Sequence, residues 1–336
     1  MTARDEGAST YNALLRHSRL RNLSATGVLE RFVGESFISA LGSSPFAARF
    51  PLHGAWCLGV WFGELTRPTW GVDLVDLERS SASEVICILR QAVGDHLAGG
   101  LHLNWYSARI ATYQERRSPL QRISLQGHLG PATLPIRVNV TAARQPEPEV
   151  EFRHLGRTLS EWSRAPVATC TPDEMVAEKA ALLVTYGPHH SRSKDVRDLR
   201  TLADGLPFDG ASLLKTMAAV FNGRDAARML AQEGYWEAAL DPGRLDANAR
   251  AGWMTVERDC GTAWPAAGLA QTMIRVRAFL QPLLAALRQD QEVAGSWQPA
   301  VGWVEPQTKS TASQVHRPAP LFPDALAAAG SGRAPP

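Results

Sequence analysis

Apolar residues recur every three to four positions near the start of the chain, a spacing that predicts an amphipathic helix. The pattern runs through Val28, Leu29, Phe32, Val33, Phe37, Ile38 and Leu41. Glycine, serine and proline at 42–45 supply a stop signal. A second apolar segment covers 56–62, and a further helix is predicted over 84–97. Residues 1–24 are polar and basic with weak apolar spacing, so we treat them as an N-terminal extension.

The middle of the chain has the spacing of β-strands. A short strand is predicted to begin just after Pro68. Longer strand-like stretches cover 101–105, 110–113, 122–126 and 134–140. The last of these alternates apolar and polar residues, which is typical of a strand buried on one face. Helices followed by several strands indicate an α+β or mixed α/β domain, which we place at residues 25–168. The prolines and charged residues at 144–149 are predicted to mark the edge of its core sheet.

The second half of the chain is mostly helical. Thr171 as N-cap, Pro172 in the first position and Glu174 completing a capping box predict a helix over 173–186. Further helices are predicted at 194–204, 210–221, 226–233, 246–258 and 269–289. Residues 169–292 therefore form a predicted helical domain. From Ser296 the chain is rich in proline, and we predict that 293–336 is a flexible tail without a core of its own.

Composition narrows the class of protein. The 336 residues hold 35 Lys and Arg against 33 Asp and Glu, which excludes a strongly polybasic nucleic-acid binder but leaves room for a local basic surface. The cysteines show no short-range pairing, so neither a disulfide scaffold nor a zinc ribbon is expected. Cys57 and Cys87 lie in apolar runs and are predicted core residues. No signal peptide or membrane-spanning segment is apparent, so we expect a soluble cytoplasmic protein with reduced thiols.

The turn His53-Gly54-Ala55 and the downstream Asp73 form the first candidate site. Small residues before a helix let backbone N–H groups approach a phosphate, and an aspartate leaving a strand can hold a divalent metal. The alternative is a tight turn with an ordinary surface aspartate.

Two charged segments in the helical half form the other candidates. Glu174 and Glu178 share a helix face beside Lys179, and the segment 191–198 carries Lys194, Asp195 and Asp198. Such clusters either bind phosphate or neutralise themselves as ion pairs on a solvated surface. The chain contains no Walker loop, G-x-G-x-x-G, G-x-S-x-G or H-E-x-x-H motif. This disfavours four common classes of protein: P-loop NTPases, Rossmann dehydrogenases, α/β-hydrolases and zincin metalloproteases.

In this order and spacing, these segments resemble the nucleotidyltransferase toxins of the bacterial abortive-infection type, the AbiEii/AbiGii family. The matching segments are 28–45, 49–55, 67–74, 172–179, 191–199, 208–209, 221–224 and 277–282, with Trp253 as a further marker. The resemblance implies a polymerase-β-like nucleotidyltransferase domain with a mixed sheet, followed by a helical C-terminal domain. It also implies transfer of a nucleotide from an NTP with Mg²⁺ or Mn²⁺, tRNA as the acceptor in some members, and a cognate antitoxin.

The resemblance assigns roles to particular residues. The implied catalytic residues are Asp73, Lys179 and Asp195, with Asp73 also the metal ligand. The implied nucleotide-binding residues are Gly54, Ala55, Arg67, Thr69 and Lys194. We predict that Arg67, Asp73, Glu178, Lys179, Lys194, Asp195 and Asp198 meet around one cleft between the two halves of the chain.

The chain departs from the family pattern at three positions that matter for chemistry. His53 stands where the family has lysine, and Gly71 and Asn139 stand at two of three acidic positions. Two divalent ions on a transferring phosphoryl group need several anionic oxygens. Two hypotheses stay open: a metal-dependent nucleotidyltransferase toxin, or an impaired relative that binds a nucleotide, an RNA or an antitoxin.

Overall fold

A mixed β-sheet dominates the N-terminal half of the computed structural model. The structure describes residues 3–305 apart from 64, 66, 68, 70, 116–117, 157, 159–165, 190–191, 223–224 and 261–267. Its strands are β1 (Leu52–His53), β2 (Val72–Asp76), β3 (His96–Leu97), β4 (Leu101–Glu115), β5 (Ser118–Leu129), β6 (Ala132–Ala142), β7 (Val150–His154) and β8 (Pro166–Cys170). Among the described residues the strand order is β3-β4-β5-β6-β2-β1-β8-β7.

Strand direction in this sheet changes around β1 and β2. β2 runs parallel to β6 and antiparallel to β1, while β1 runs parallel to β8. The pairs β3–β4, β4–β5, β5–β6 and β7–β8 are antiparallel. This register sets Asp73 of β2 beside His53 on one side and beside Asn139 of β6 on the other.

Helices contact the N-terminal sheet. They are α1 (Ala3–Leu20), α2 (Ala25–Gly42), α3 (Ala55–Phe62) and α4 (Ala82–Val93). Helix α2 begins where the Ser24 hydroxyl accepts a hydrogen bond from the Gly27 N–H, and it packs on β6 and β8. Alternate residues of β6 are buried, including Ile136 and Val138, whereas Arg137 is exposed and Asn139 half-buried. One face of β6 therefore belongs to the core, and the other carries polar side chains.

The second half contains seven helices among its described residues, together with a small sheet. The helices are α5 (Pro172–Tyr186), α6 (Ser193–Gly205), α7 (Gly210–Asn222), α8 (Ala226–Leu230), α9 (Tyr235–Ala239), α10 (Ala247–Cys260) and α11 (Leu269–Gln289). The strands are β9 (Phe208–Asp209), β10 (Ser296–Gln298) and β11 (Gly302–Val304), in the order β11-β10-β9. The predicted α+β class, a mixed sheet followed by helices, is confirmed.

The predicted bounds of α5 and α11 agree with the structure to within about one residue. Thr171 accepts a hydrogen bond from the Glu174 N–H at the start of α5, as predicted. Helix α11 has the predicted bounds. The predicted strands at 101–105 and 110–113 are one strand, β4, whose pairing with β5 shifts between Asn104 and Arg109. The proposed division between residues 168 and 169 stays a prediction.

Four predictions at the level of the fold are wrong. The helix predicted over 84–97 ends at Val93, because the next residues turn and pair as β3. The sheet continues past the proline-rich break at 144–149 into β7 and β8. Residues 1–24 are not a mere extension, because Leu14 of α1 is buried in the core. Cys87 is exposed on α4, while Cys57 is buried as predicted.

The start of the predicted flexible tail is also wrong. Residues 296–304 form the hairpin β10–β11, which pairs with β9. Trp297 is only 1 % exposed, and its indole Nε1 donates to the Ala203 carbonyl at 2.7 Å. The rest of the predicted tail, 306–336, lies outside the described residues. Among the described helices, none is long and apolar enough to cross a membrane.

Candidate functional site

The turn before α3 brings a glycine against Asp73. Gly54 precedes the first residue of α3, Ala55, and has a φ of 71°, a conformation that glycine adopts without strain. A β-carbon at Gly54 would lie 2.7 Å from Asp73 Oδ2, so any other residue would collide with that carboxylate. Asp73 therefore lies against the start of α3, where unpaired N–H groups and the helix dipole favour negative charge. The turn at Gly54 and Asp73, which form the first candidate site, are thus in direct contact.

Asn139 binds the carboxylate of Asp73 directly. Its Nδ2 donates to Asp73 Oδ1 at 2.7 Å, and its Oδ1 accepts from Arg122 Nε at 2.9 Å. The partners determine how the amide is oriented, because reversing it would set oxygen against carboxylate and NH₂ against guanidinium. The carbonyl oxygen of Asn139 is therefore engaged by a cation that belongs to the protein.

Gly71 lies beside Arg137 at the start of β2. A β-carbon at Gly71 would be 3.0 Å from the Arg137 carbonyl oxygen and 3.3 Å from the Arg137 Cβ. The Gly71 carbonyl accepts from Trp56 Nε1 at 2.9 Å and from the Thr69 hydroxyl at 3.3 Å. The hydroxyl of Thr69, which is predicted to bind the nucleotide, thus donates to the backbone just before β2.

A cavity of about 230 Å³ opens next to Gly71. Thr69 and Trp56 line it, together with Glu30 of α2 and Arg137. Burial raises the pKa of the Glu30 carboxyl above its ordinary value, and the charge of Arg137 opposes that rise. The cavity beside Gly71 is therefore lined by one acidic side chain, Glu30, and one basic side chain, Arg137.

The charged residues of α5 and α6 form a buried ion-pair network with Arg67. Lys179 Nζ lies 2.7 Å from Asp195 Oδ1 and 2.8 Å from Asp198 Oδ2. Arg67 binds Asp198 with two nitrogens, Nε at 2.8 Å and Nη2 at 2.9 Å. We call these four residues the ion-pair network. It joins the segment before β2 to both helices.

The charges of the ion-pair network balance, and this balance sets its pKa values. Burial opposes ionisation of Asp198, but Lys179 and Arg67 outweigh burial and hold the pKa of its carboxyl below the usual range. Burial likewise opposes the charge of Lys179, yet Asp195 and Asp198 raise its pKa. Arg197, on the same helix, has its pKa lowered to about 10 because burial outweighs the attraction of Asp198.

The structure brings together four of the seven residues predicted to share a cleft, and these four are the ion-pair network. Burial opposes the charge of Arg67, but the carboxylates of Asp198, Asp195 and Asp73 outweigh burial and raise its pKa. Lys194 is exposed on α6, and no hydrogen bond or ion pair joins it to a described residue. The catalytic and nucleotide-binding roles of these residues stay predictions.

Two other acidic residues, Asp76 and Glu174, are buried and held by hydrogen bonds and ion pairs. Asp76 is buried at the end of β2, where it accepts from the N–H groups of Glu78 at 3.1 Å and Ser80 at 2.7 Å and pairs with Arg49. Glu174 is buried and pairs with Arg144, so it is no part of a solvated outer face. Neither carboxylate replaces the acidic groups that are missing at Gly71 and Asn139.

The donor set around Asp73 does not fit a two-ion centre. Mg²⁺ prefers carboxylate and other oxygen ligands, and Asp73 is the one carboxylate at the three acidic positions. One of its oxygens accepts from Asn139, whose own oxygen accepts from a guanidinium. Within the described part of the chain, no group of three or more His, Cys, Asp or Glu residues could hold a metal ion.

Arg122 and Arg137 are not among the site residues that the sequence predicts. Both lie in predicted strands, but their position relative to Asp73 depends on how β5, β6 and β2 pair. The alternation of Arg137 and Asn139 along β6 was the available signal, since it sets both on the polar face.

Comparison with known proteins gives the family. A family model described as nucleotidyl transferase AbiEii toxin, type IV TA system, matches residues 36–281. No curated protein sequence matches the chain.

Two solved structures from Helicobacter pylori show partial likeness at 13 % identity. One is titled a putative nucleotidyltransferase, with a TM-score of 0.39, covering 81 % of this chain and 100 % of that one. The other is JHP933, with a TM-score of 0.37, covering 83 % and 94 %. Because the family model spans well over half of the sequence, this chain belongs to the AbiEii nucleotidyl transferase toxin family of type IV toxin–antitoxin systems.

Proposed function

We propose that this protein binds a nucleoside triphosphate at the Asp73 site and is impaired in transferring the nucleotide. The hydrogen bond from Asn139 Nδ2 to Asp73 Oδ1, with Arg122 on the far side of the amide, carries the proposal. A phosphoryl-transfer centre with two ions needs anionic oxygens at these positions. Here an amide and a guanidinium occupy the space around the one carboxylate.

The ion-pair network explains why the other charged motifs persist without catalysis. Lys179 and Asp195 pair with each other at 2.7 Å, and Asp198 is 0 % exposed between two cations. Removing one partner of a buried pair leaves an uncompensated charge, at a cost of about 3–5 kcal/mol. Their retention therefore has a structural reason that is independent of nucleotide transfer.

A second candidate function is metal-dependent transfer of a nucleotide to an RNA, with tRNA as the acceptor. One observation favours it: Asp73 Oδ2 has no hydrogen-bond partner among the described residues and lies against the small-residue turn at Gly54. In both cases we propose a cognate antitoxin as partner, because the family is one of toxin–antitoxin systems.

Labelled NTPs, total tRNA and Mg²⁺ or Mn²⁺ distinguish the two candidates. We expect the parent protein to bind NTP in a filter or calorimetric assay while labelling no RNA above a protein-free control. The double variant Gly71→Asp with Asn139→Asp restores the acidic positions, and any gain of Mg²⁺-dependent transfer by it strengthens the proposal. Transfer by the parent that Asp73→Ala abolishes would establish the second candidate instead.

A further inference from the structure

Two arginines stand next to the two positions that lack a carboxylate. Arg122 Nε is 2.9 Å from Asn139 Oδ1, and the Arg137 Cβ is 3.3 Å from where a β-carbon of Gly71 would lie. An aspartate at position 139 would have the Arg122 guanidinium beside it, and an aspartate at position 71 would lie against the base of the Arg137 side chain. With glycine and asparagine there, the positive charges have no such partner.

Both guanidinium groups keep unused hydrogen-bond donors. Arg122 contacts the Tyr113 ring at 4.9 Å and donates through Nε, and its terminal nitrogens have no partner among the described residues. Arg137 makes no hydrogen bond or ion pair within that same part of the chain, although Glu30 lines the cavity beside it. An arginine has five N–H donors in a fixed fork, so each group has several left for a ligand.

The sheet register sets the spacing between the two arginines. Arg122 pairs with Asn139 across β5 and β6, and Ser124 pairs with Arg137, so the arginines are diagonal neighbours on one face. Diagonal neighbours in an antiparallel pair lie about 7–8 Å apart, within reach of long side chains. Two forks at this spacing can engage adjacent phosphates of one polyphosphate chain.

We propose that Arg122 and Arg137 bind the phosphates of the nucleotide directly, in the role that divalent cations have in an active nucleotidyltransferase, so that the site takes the metal-free polyphosphate. This inference rests on the proposed nucleotide binding. In such a site Glu30 competes with the ligand for Arg137, and Asp73, an anion bound to Asn139, repels the phosphates. The Asp73 carboxylate therefore weakens binding, the opposite of its effect in a metal site.

Isothermal titration calorimetry on the full chain tests the proposal with each of the four NTPs and with inorganic tripolyphosphate, in EDTA and in Mg²⁺. We expect binding in EDTA, and weaker binding in Mg²⁺, which neutralises the ligand. Arg122→Gln and Arg137→Gln should each weaken binding about tenfold or more, as expected for losing hydrogen bonds to a charged group. Arg122→Lys and Arg137→Lys should retain part of it. Arg153→Gln, an exposed strand arginine on β7, is the matched control and should change nothing.

Asp73→Asn should change nucleotide affinity in opposite directions at a site made of arginines and at a site that holds a metal. It should tighten binding in EDTA if arginines hold the phosphates, and it should abolish binding if a metal does. Nucleotide binding that requires Mg²⁺, or that neither arginine variant weakens while thermal melts show the variants folded, overturns this inference and leaves nucleotide binding intact. No NTP binding in either buffer overturns the proposed function itself. Tripolyphosphate binding as tightly as NTP, with the same dependence on arginine, supports recognition through phosphates alone.

Discussion

The ion-pair network and the sheet face around Asp73 contain the same kinds of charged group in opposite arrangements. In the network, Arg67 and Lys179 face Asp195 and Asp198, and each charge has a partner within 3 Å. On the sheet face, Arg122 and Arg137 border positions at which an amide and a glycine replace carboxylates. The first arrangement is neutral and buried, whereas the second leaves donors free.

This difference distinguishes two roles that charged residues can have, one in stabilising the fold and one in binding a ligand. Buried charges are tolerated only when they are paired and hydrogen-bonded, so the loss of one member of the network destabilises the fold. Unsatisfied donors on an open face contribute little to folding and are available to a ligand. A charged motif in a family of enzymes is therefore no sign of catalysis until its partners are known.

Removing the central carboxylate of the network should have the largest effect. We expect Asp198→Ala to lower the free energy of unfolding by about 3–5 kcal/mol, because Lys179 and Arg67 would stay buried without it. Chemical denaturation measures this. Asp204→Ala, on the same helix but 38 % exposed, should cost about 1 kcal/mol or less. Equal losses in the two variants would show that the network does not hold the helices together.

The C-terminal hairpin supports α6, the helix that carries two members of the network. Trp297→Ala should lower the free energy of unfolding by about 3–5 kcal/mol, since it empties a buried site and removes the bond to Ala203. For the same reason, truncation at residue 295 should impair folding. Val301→Ala, at the exposed hairpin turn, should stay within about 0.5 kcal/mol. A soluble, fully stable protein ending at 295 would contradict this expectation.

The network should also make stability depend on pH. Because the pKa of Asp198 is lowered in the folded state, its contribution is present above the unfolded value of about 3.9 and is lost as pH falls below it. Melts between pH 5 and pH 3 should show roughly 1 kcal/mol of this loss. Asp198→Asn should flatten the acid slope, which separates it from Asp173 and Glu174, whose raised pKa values act in the opposite direction.

Changing the sheet face should affect stability least. Asp73→Ala removes one hydrogen bond from a half-buried carboxylate, so we expect a loss of about 1 kcal/mol or less in the free energy of unfolding. Differential scanning calorimetry beside Asp198→Ala measures the contrast. A loss as large as that of Asp198→Ala would mean that the two clusters do not differ in kind.

Local signals in the sequence determine how well the fold could be predicted. Caps such as Thr171 fix helix starts within a few residues, and α5 and α11 were located correctly. Strands β7 and β8 were missed because they are short and depend on pairing: β8 pairs with the distant strand β1, and β7 pairs with β8. Trp297 was assigned to a flexible tail because the segment is rich in proline. Composition does not show that its indole packs against Phe279.

The residues of the candidate site also fall into two groups, those that the sequence predicts and those that only the structure reveals. The motif resemblance located Arg67, Lys179 and Asp195, and the structure brings those three together. It located Asp73 and the missing acids as well. It could not reveal that Arg122 and Arg137 lie near those positions, because this depends on the register between β5 and β6 and on the pairing of β6 with β2, which is far away in sequence.

The pairing of β1 has a consequence for synthesis of the protein. Leu52 lies between Leu74 and Thr169, so the sheet is incomplete until the ribosome has released β8. At about 5–20 residues per second, the wait between β2 and β8 is on the order of 10 s. Asp195 and Asp198 emerge later still, so the bonds that Lys179 and Arg67 make with them form only after α6 has been synthesised. For a member of a toxin family, this order means that a chain terminated before α6 lacks the ion-pair network.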